Sequence, residues 1–261
     1  MNQYFYVIYM PHLILSLVGI WGSISHPEIW WWALGFWVVF GYLGHNIGYH
    51  RLLAHRQFKT WRPVELALAA FGTMIAYGPI LFWCASHARH HKCEDTPMDP
   101  TTPARGFWHS TVTWNLKRKC GSEIELRSYP VVAVMRDRKL MWMSRHFFLI
   151  IWVWMVILVW ISPPALLGYV IATMYERLRI GFVVNWLMHV NVPGSYRTRL
   201  SIGRSKNFVL LYPLTMGFSL HNAHHGNPKK LNESSRWWEV GVDERICKVL
   251  TKNDPLPGTE H

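Results

Sequence analysis

Long apolar runs alternate with polar and basic stretches along the chain, and four of these runs are predicted to be membrane spans. Each run has close to the twenty apolar residues that a helix needs to cross the hydrocarbon core of a bilayer. The four runs cover about residues 4–22, 29–49, 141–161 and 164–190. The short connections "GSISHPE" and "SPP" contain no Lys or Arg, which is typical of loops on the non-cytoplasmic side.

A fifth apolar run, residues 63–83, is long enough to span but is predicted not to cross. If it crossed, the histidines before and after it would face opposite sides of the membrane. Gly72, Gly78 and Pro79 also interrupt the run. A re-entrant or interfacial helix is therefore expected here, because irregular backbone at membrane depth is tolerated where protein covers it.

Basic residues are concentrated in residues 85–140 and again in residues 197–252. The positive-inside rule places both regions in the cytoplasm. The predicted fold is an all-α integral membrane domain over residues 1–261, with four transmembrane helices and a helical cap. The cap consists of residues 50–140 and 191–261, and the active site and both termini are predicted to be cytoplasmic.

Composition agrees with a membrane part and a polar part of similar size. Hydrophobic residues make up 51% of the chain, which has 16 Trp, a net charge of +12 and a mean hydropathy of only +0.06. A nucleic-acid binder could carry this charge, but the apolar runs argue against it, and Trp with Lys and Arg suits a headgroup interface. The four cysteines form no CxxC pair, so neither a disulfide framework nor a zinc finger is indicated.

Nine of the 15 histidines fall into four groups. With this histidine content, about 0.05 copies of HxxHH are expected by chance, and the chain has two. The groups are "HRLLAH" (His50, His55), "HARHH" (His87, His90, His91), a single His189 in the fourth predicted span, and "HNAHH" (His221, His224, His225).

The spacing of these histidines indicates metal binding. Offsets of 0, 3 and 4 lie on one face of an α-helix, so the three rings of each HxxHH box can converge. An offset of 5 separates His50 and His55 by about 140° on an α-helix, so these two rings are not expected to share one ion. Nine imidazoles exceed one coordination shell, so two metals are predicted, and imidazole suits Fe, Zn and Cu.

His189 is predicted to be a ligand although it lies inside a span. Asn185 lies four residues earlier on the same helix face, and polar residues within a membrane are functional candidates. Asn185 is expected to orient a water or a ligand. The other six histidines are predicted to have no metal role: His12, His26, His45, His109, His146 and His261.

With "GYHRLLAHRQFK", "HARHHKCEDTPMDP", "RGFWHSTVTW", "NWLMH" and "HNAHH" in this order, the chain resembles the membrane-bound fatty-acid desaturases, and most closely the delta-9 acyl-CoA and acyl-lipid type. The resemblance covers about residues 40–250. It implies that the nine histidines hold two irons and that Asn185 holds an iron-bound water. Two departures stand out: Phe218 replaces a glutamate that often precedes the last box, and Thr111 replaces a frequent histidine.

The chemistry implied is removal of two hydrogens from an unactivated methylene pair, which requires a metal–oxygen oxidant rather than an acid or base side chain. O₂ is therefore the expected co-substrate, and the product is a cis double bond in an acyl-lipid or acyl-CoA. No flavin, dinucleotide, haem or iron–sulfur motif is found. The electrons are expected from an external donor, and the basic cytoplasmic face suits an acidic ferredoxin or b-type cytochrome.

The acyl chain is expected in a channel lined by the second and fourth spans and the 63–83 segment, with Phe71, Met74, Tyr77 and Trp83 as candidate lining residues. An alternative is a histidine-box hydroxylase or ketolase that acts on a lipid or alkane. A metal carrier is disfavoured because the polar residues cluster on one side. A soluble carboxylate di-iron enzyme is excluded because no ExxH pair is present.

Overall fold

The computed structural model describes residues 3–116, 129–198, 201–239 and 241–252. These residues are helical throughout apart from connections and one isolated antiparallel bridge between Tyr196 and Asn207. The main helices are α1 (Phe5–Gly22), α2 (Glu28–Phe36, continued by a π-helix at Trp37–Ala54), α3 (Arg62–Met74), α4 (Ile80–Lys92), α5 (Tyr129–Arg136), α6 (Arg138–Arg145), α7 (Phe147–Ile161), α8 (Pro163–Leu178, continued by a π-helix at Arg179–Trp186 and a 3₁₀ turn at Leu187–His189), α9 (His221–Gly226) and α10 (Val242–Leu250). The basic residues Lys117, Arg118, Lys119 and Arg127, together with Cys120 and His261, lie outside the described residues.

The predicted spans coincide with helices, but they differ in how membrane-like those helices are. Among the described residues, α1 alone is long and apolar enough to cross a membrane as one helix, and α6 with α7 passes the same test as a pair bent by 69°. The second and fourth predicted spans, 29–49 and 164–190, do not pass it. Their helices carry polar residues such as His45 and Glu176, which are fully buried within the bundle.

The apolar run 63–83 forms parts of two helices, α3 and α4, rather than one long helix. The break between them contains Ala76 and Gly78, both with positive φ, followed by Pro79. The histidines that flank the run, His55 and His87, have their Nε2 atoms only 2.6 Å apart. The two ends of the run therefore lie close together.

Glycines allow the helices to approach closely. An added Cβ at Gly44 of α2 would lie 2.3 Å from the backbone nitrogen of Gly72 in α3. At the α2–α8 contact, a Cβ at Gly168 would lie 2.8 Å from the carbonyl oxygen of Ile29. Small residues at such crossings are typical of helix packing within membranes. α2 is thereby held between α3 and α8, and its C-terminal end reaches the histidines.

The polar cap lies at the C-terminal ends of α2, α4 and α8. It contains α9 with the last histidine box, and α10, which packs with Cys247 fully buried. Buried ion pairs link the cap to the bundle, as between Arg51 of α2 and Asp243 of α10 (3.0 Å).

Candidate metal centre

The nine predicted histidines converge into two groups at the junction between the bundle and the cap. In each group the ring nitrogens lie within 4.8 Å of one another. The five-histidine group consists of His50, His55, His87, His91 and His224, and the four-histidine group consists of His90, His189, His221 and His225.

Each HxxHH box contributes to both groups. His87 and His91, four residues apart on α4, belong to the five-histidine group, whereas His90 between them belongs to the other. The last box mirrors this division, because its outer histidines join the four-histidine group and His224 joins the five-histidine group. The three rings of a box therefore converge on one region, but they divide between two groups instead of sharing one.

The prediction that His50 and His55 point apart is wrong. Their ring centroids are 4.7 Å apart, and both rings lie in the five-histidine group. The cause is the π-helix at the end of α2, in which the backbone N–H of His55 donates to the carbonyl of His50 at 3.0 Å. Bonds from i to i+5 place residues five apart on one side, whereas the prediction used the geometry of an α-helix.

Carboxylates hold the outer nitrogens of several of these rings. The Nδ1 atom of His90 lies 3.0 Å from Asp99, that of His189 lies 3.1 Å from Asp95, and that of His224 lies 2.7 Å from Glu233. Glu94 lies 3.1 Å from Nδ1 of His225, without the geometry of a hydrogen bond. Such partners fix the tautomer of an imidazole so that its Nε2 is free to bind a metal ion. Sequence reasoning missed all four carboxylates, although three of them follow the second box directly in "CEDTPMD".

The protonation states suit metal ligands. Burial, reinforced by the neighbouring imidazoles, lowers the pKa of His55, His87 and His91 well below the ordinary value, so these rings are neutral and can donate a lone pair. Burial alone would raise the pKa of the Asp99 carboxyl, but His90 and backbone N–H donors lower it to about 2. The donor set, two groups of imidazole nitrogens of which several are backed by carboxylates, fits two metal ions.

Asn185 lies near one histidine of each group. Its amide donates to the carbonyl of Ser110 at 3.3 Å, and its side chain lines a small cavity with His87 and His90. Tyr77 and Trp83, two of the predicted channel residues, line the same cavity. The other two predicted channel residues, Phe71 and Met74, pack against the hydrophobic core. Within the described part of the chain, they line neither this small cavity nor the larger cavity described below.

A larger apolar cavity of about 180 Å³ continues from Tyr77, which lines both. Its wall includes Trp108, Leu178 and Phe182, all exposed on the outer surface of the helices. Arg177 also lines it and is buried, and donates to the carbonyls of Thr173 and Ala76. The larger cavity therefore reaches from the outer surface of the helices to Tyr77, which also lines the small cavity beside His87 and His90.

Phe218 and Thr111, which replace residues that are frequent in the resembled family, both lie near the site. The ring centroid of Phe218 lies 4.7 Å from that of His50, and the guanidinium carbon of Arg179 lies 5.0 Å from the centroid of the same Phe218 ring. Thr111 donates to the carbonyl of Phe107 at 2.7 Å and lines the larger cavity.

Two of the histidines predicted to have no metal role, His12 and His45, are fully buried. His12 contacts Thr173 and Met155, and His45 contacts Glu176.

Comparison with known proteins agrees with this geometry. The family model for fatty acid desaturases matches residues 29–240. The chain is 27% identical to a hex-5-enoyl-[acyl-carrier protein] acetylenase of Moorena producens over 96% of this chain and 86% of that protein. It is 28% identical to an sn-2 palmitoyl-lipid 9-desaturase of Nostoc (86% and 81% covered) and 30% identical to a delta-9 desaturase-like protein of Arabidopsis thaliana (80% and 69% covered).

Proposed function

The chain belongs to the fatty acid desaturase family, and we propose that it introduces a cis double bond, at the delta-9 position, into a fatty acyl chain carried by a lipid or by CoA. The observation that carries this proposal is the pair of histidine groups, with a small cavity lined by His87 and His90 beside them. The position is supported by two relatives whose names specify delta-9 or 9-desaturation.

We propose two irons as the metals. The five-histidine group would hold one, and the four-histidine group, with a water positioned by Asn185, would hold the other. Bound there, they would supply the activation of O₂ that removal of hydrogen from unactivated methylenes requires. The protein's own residues fix the imidazoles through Asp95, Asp99 and Glu233 and keep bulk water out by burial.

The two cavities are the proposed binding site for the acyl chain. Trp83 stacks on His87 with ring centroids 4.7 Å apart, so the cavity wall and a metal ligand are in contact. A chain lying against Tyr77 and Trp83 would present its methylenes to the histidine groups. Trp108 and Phe182, exposed at the outer end, would allow entry from the bilayer.

Electrons are proposed to come from an external donor, either a ferredoxin or a b-type cytochrome. The net charge of +12 and the basic stretches of the cap favour an acidic partner. We also propose that the protein spans the membrane four times, with the metal centre and both termini on the cytoplasmic side.

The direct test is expression in a host that lacks delta-9 desaturation, followed by mass spectrometry of its acyl-lipid and acyl-CoA pools. A new alkene at carbon 9 is expected. A hydroxylated or keto product without any alkene would favour the alternative, a histidine-box hydroxylase or ketolase. An alkyne product would indicate the activity named for the acetylenase relative.

A matched variant tests the site in the same host. His90→Ala removes one ring of the four-histidine group, and product and bound iron are both expected to fall to background. His146→Ala, which changes a partly exposed ring between α6 and α7 that contacts Trp142 and lies in neither histidine group, is the control and is expected to retain both. Full turnover by His90→Ala would contradict the two-iron assignment.

A further inference from the structure

A second set of buried charges lies behind the five-histidine group and reaches it from the C-terminal helix. Its centre is Arg51, the residue after the ligand His50, which is 3% exposed. Its guanidinium contacts two carboxylates, Glu233 at 3.2 Å and Asp243 at 3.0 Å. It also donates to the side-chain oxygen of Gln57 at 2.8 Å. All of these groups are buried, so the contacts are shielded from solvent.

Glu233 connects this guanidinium to a metal ligand. One carboxylate oxygen of Glu233 accepts from Arg51, and the other lies 2.7 Å from Nδ1 of His224. Arg51 therefore fixes the carboxylate that fixes the imidazole. A planar guanidinium holds two carboxylates in defined directions, which a flexible ammonium group does not do.

Asp243 reaches a second ligand by another route. Its carboxylate accepts from Tyr42 at 2.7 Å and from the side-chain amide of Asn46 at 3.2 Å. The amide oxygen of Asn46 lies 3.4 Å from Nδ1 of His50. The Asp243 carboxylate thus leads to His224 through Arg51 and Glu233, and to His50 through Asn46.

Both of these ligands belong to the five-histidine group. The four-histidine group has separate carboxylates, including Asp99 on His90 and Asp95 on His189. We propose that Asp243 and Arg51 are positioning residues that orient His50 and His224, so that the C-terminal helix α10 completes one metal site and not the other. This inference rests on the proposed two-metal function.

A purely structural role would tie α10 to the bundle and would affect both sites alike. Fe²⁺ binding separates the two roles, since removal of such an outer partner typically costs 10–100-fold in metal affinity or activity. The protein is purified in detergent, freed of metal with a chelator and titrated with Fe²⁺ under argon. The wild-type protein is expected to bind two equivalents.

In Asp243→Asn, one equivalent is expected to weaken 10–100-fold, while the other keeps its wild-type affinity, and kcat falls without a matching change in KM. Asp99→Asn is expected to weaken the other equivalent, and the double variant to weaken both. Arg51→Lys keeps the charge but loses the planar contact with both carboxylates, so it is expected to reproduce the effect of Asp243→Asn if that variant does not fold.

Cys247→Ala is the matched control, because Cys247 is fully buried one turn later on α10. It is expected to lower the thermal midpoint while leaving both Fe²⁺ affinities unchanged. Wild-type affinity for both equivalents in Asp243→Asn and Arg51→Lys would overturn the inference, as would equal weakening of both equivalents. A wild-type protein that bound no Fe²⁺ would instead contradict the proposed function.

Discussion

Glu176 lies at the centre of an ionic cluster that joins α2 to α8 inside the helical bundle. Its carboxylate accepts from Arg179 on its own helix, at 2.8 and 2.6 Å, and from the indole of Trp37 at 3.1 Å. His45, which precedes His50 by five residues, binds the same carboxylate through Nδ1. All four side chains are buried. The cluster therefore compensates a cation and an anion that would each be costly alone.

Replacing Glu176 by Gln should destabilise the protein strongly. The substitution keeps the shape of the side chain but leaves the buried Arg179 without its carboxylate, and such a loss costs about 3–5 kcal/mol of unfolding free energy. The measurement is the thermal midpoint of the purified protein in detergent. Glu28→Gln is the control, because Glu28 pairs with His26 at an exposed site, where the change should cost less than about 1 kcal/mol. Equal midpoints for the two variants would contradict this account.

At the scale of single residues, the histidines that converge could be picked out from the sequence, but the carboxylate of Glu233 behind them could not. Spacing alone marks His87, His90 and His91 as one set, because a helix brings such neighbours together. Glu233 offers no comparable signal, because it lies eight residues beyond the last box in an irregular segment. Only the fold shows that its carboxylate meets His224.

The crossing of α2 and α3 is the element-level contact on which the first ligands depend. The backbones of the two helices are in direct contact there, because a Cβ on Gly44 would lie 2.3 Å from the backbone nitrogen of Gly72 and 2.7 Å from the carbonyl oxygen of Phe71. No side-chain rotation can relieve these clashes. α3 leads directly into the turn before α4, so the crossing also sets the distance between His50 and the second box.

Gly44→Ala should therefore lower both stability and activity. Overpacking of a close-packed site costs about 1–3 kcal/mol, and the forced shift of α3 should reduce product yield in the expression host. Gly35→Ala on the same helix is the matched control, because a Cβ there meets no atom within 4 Å. Its thermal midpoint should be unchanged or slightly higher, since Ala favours helix over Gly. A wild-type midpoint for Gly44→Ala would show that the crossing is not tight.

Some of the helices were predictable from the apolar runs, whereas their bends and internal geometry were not. The runs 4–22, 29–49 and 164–190 coincide with α1, α2 and α8, but the run 141–161 begins inside α6 and bends by 69° before α7. The run 63–83, predicted as one re-entrant or interfacial helix, forms parts of α3 and α4. The π-helical segments Trp37–Ala54 and Arg179–Trp186 have no such signal. Their hydrogen bonding follows from packing, and it decides that His50 and His55 lie together.

For the whole molecule, the convergence of the histidines restricts how the chain can pass through a membrane. His55 precedes α3, His87 lies on α4, and their Nε2 atoms are 2.6 Å apart, so α3 and α4 cannot make a single crossing. His90 and His189 also lie close, with ring centroids 5.3 Å apart. A membrane-spanning chain must then cross an even number of times between them, and the proposed crossings by α7 and α8 meet that condition. In the proposed four-crossing arrangement, the connections after α1 and after α7 lie on the opposite side from the histidine groups.

This arrangement predicts opposite labelling of two engineered cysteines. Ser25→Cys lies in the exposed connection after α1, and Lys230→Cys lies in the exposed cap beyond α9. In intact cells of a bacterial host, a membrane-impermeant maleimide should label Ser25→Cys and not Lys230→Cys, because only the first faces outward. Inverted membrane vesicles should reverse the pattern, and the parent protein, in which Cys84 and Cys247 are buried, measures the background. Labelling of both positions from the same side would place the cap and the α1–α2 connection together, and the four-crossing arrangement would then be wrong.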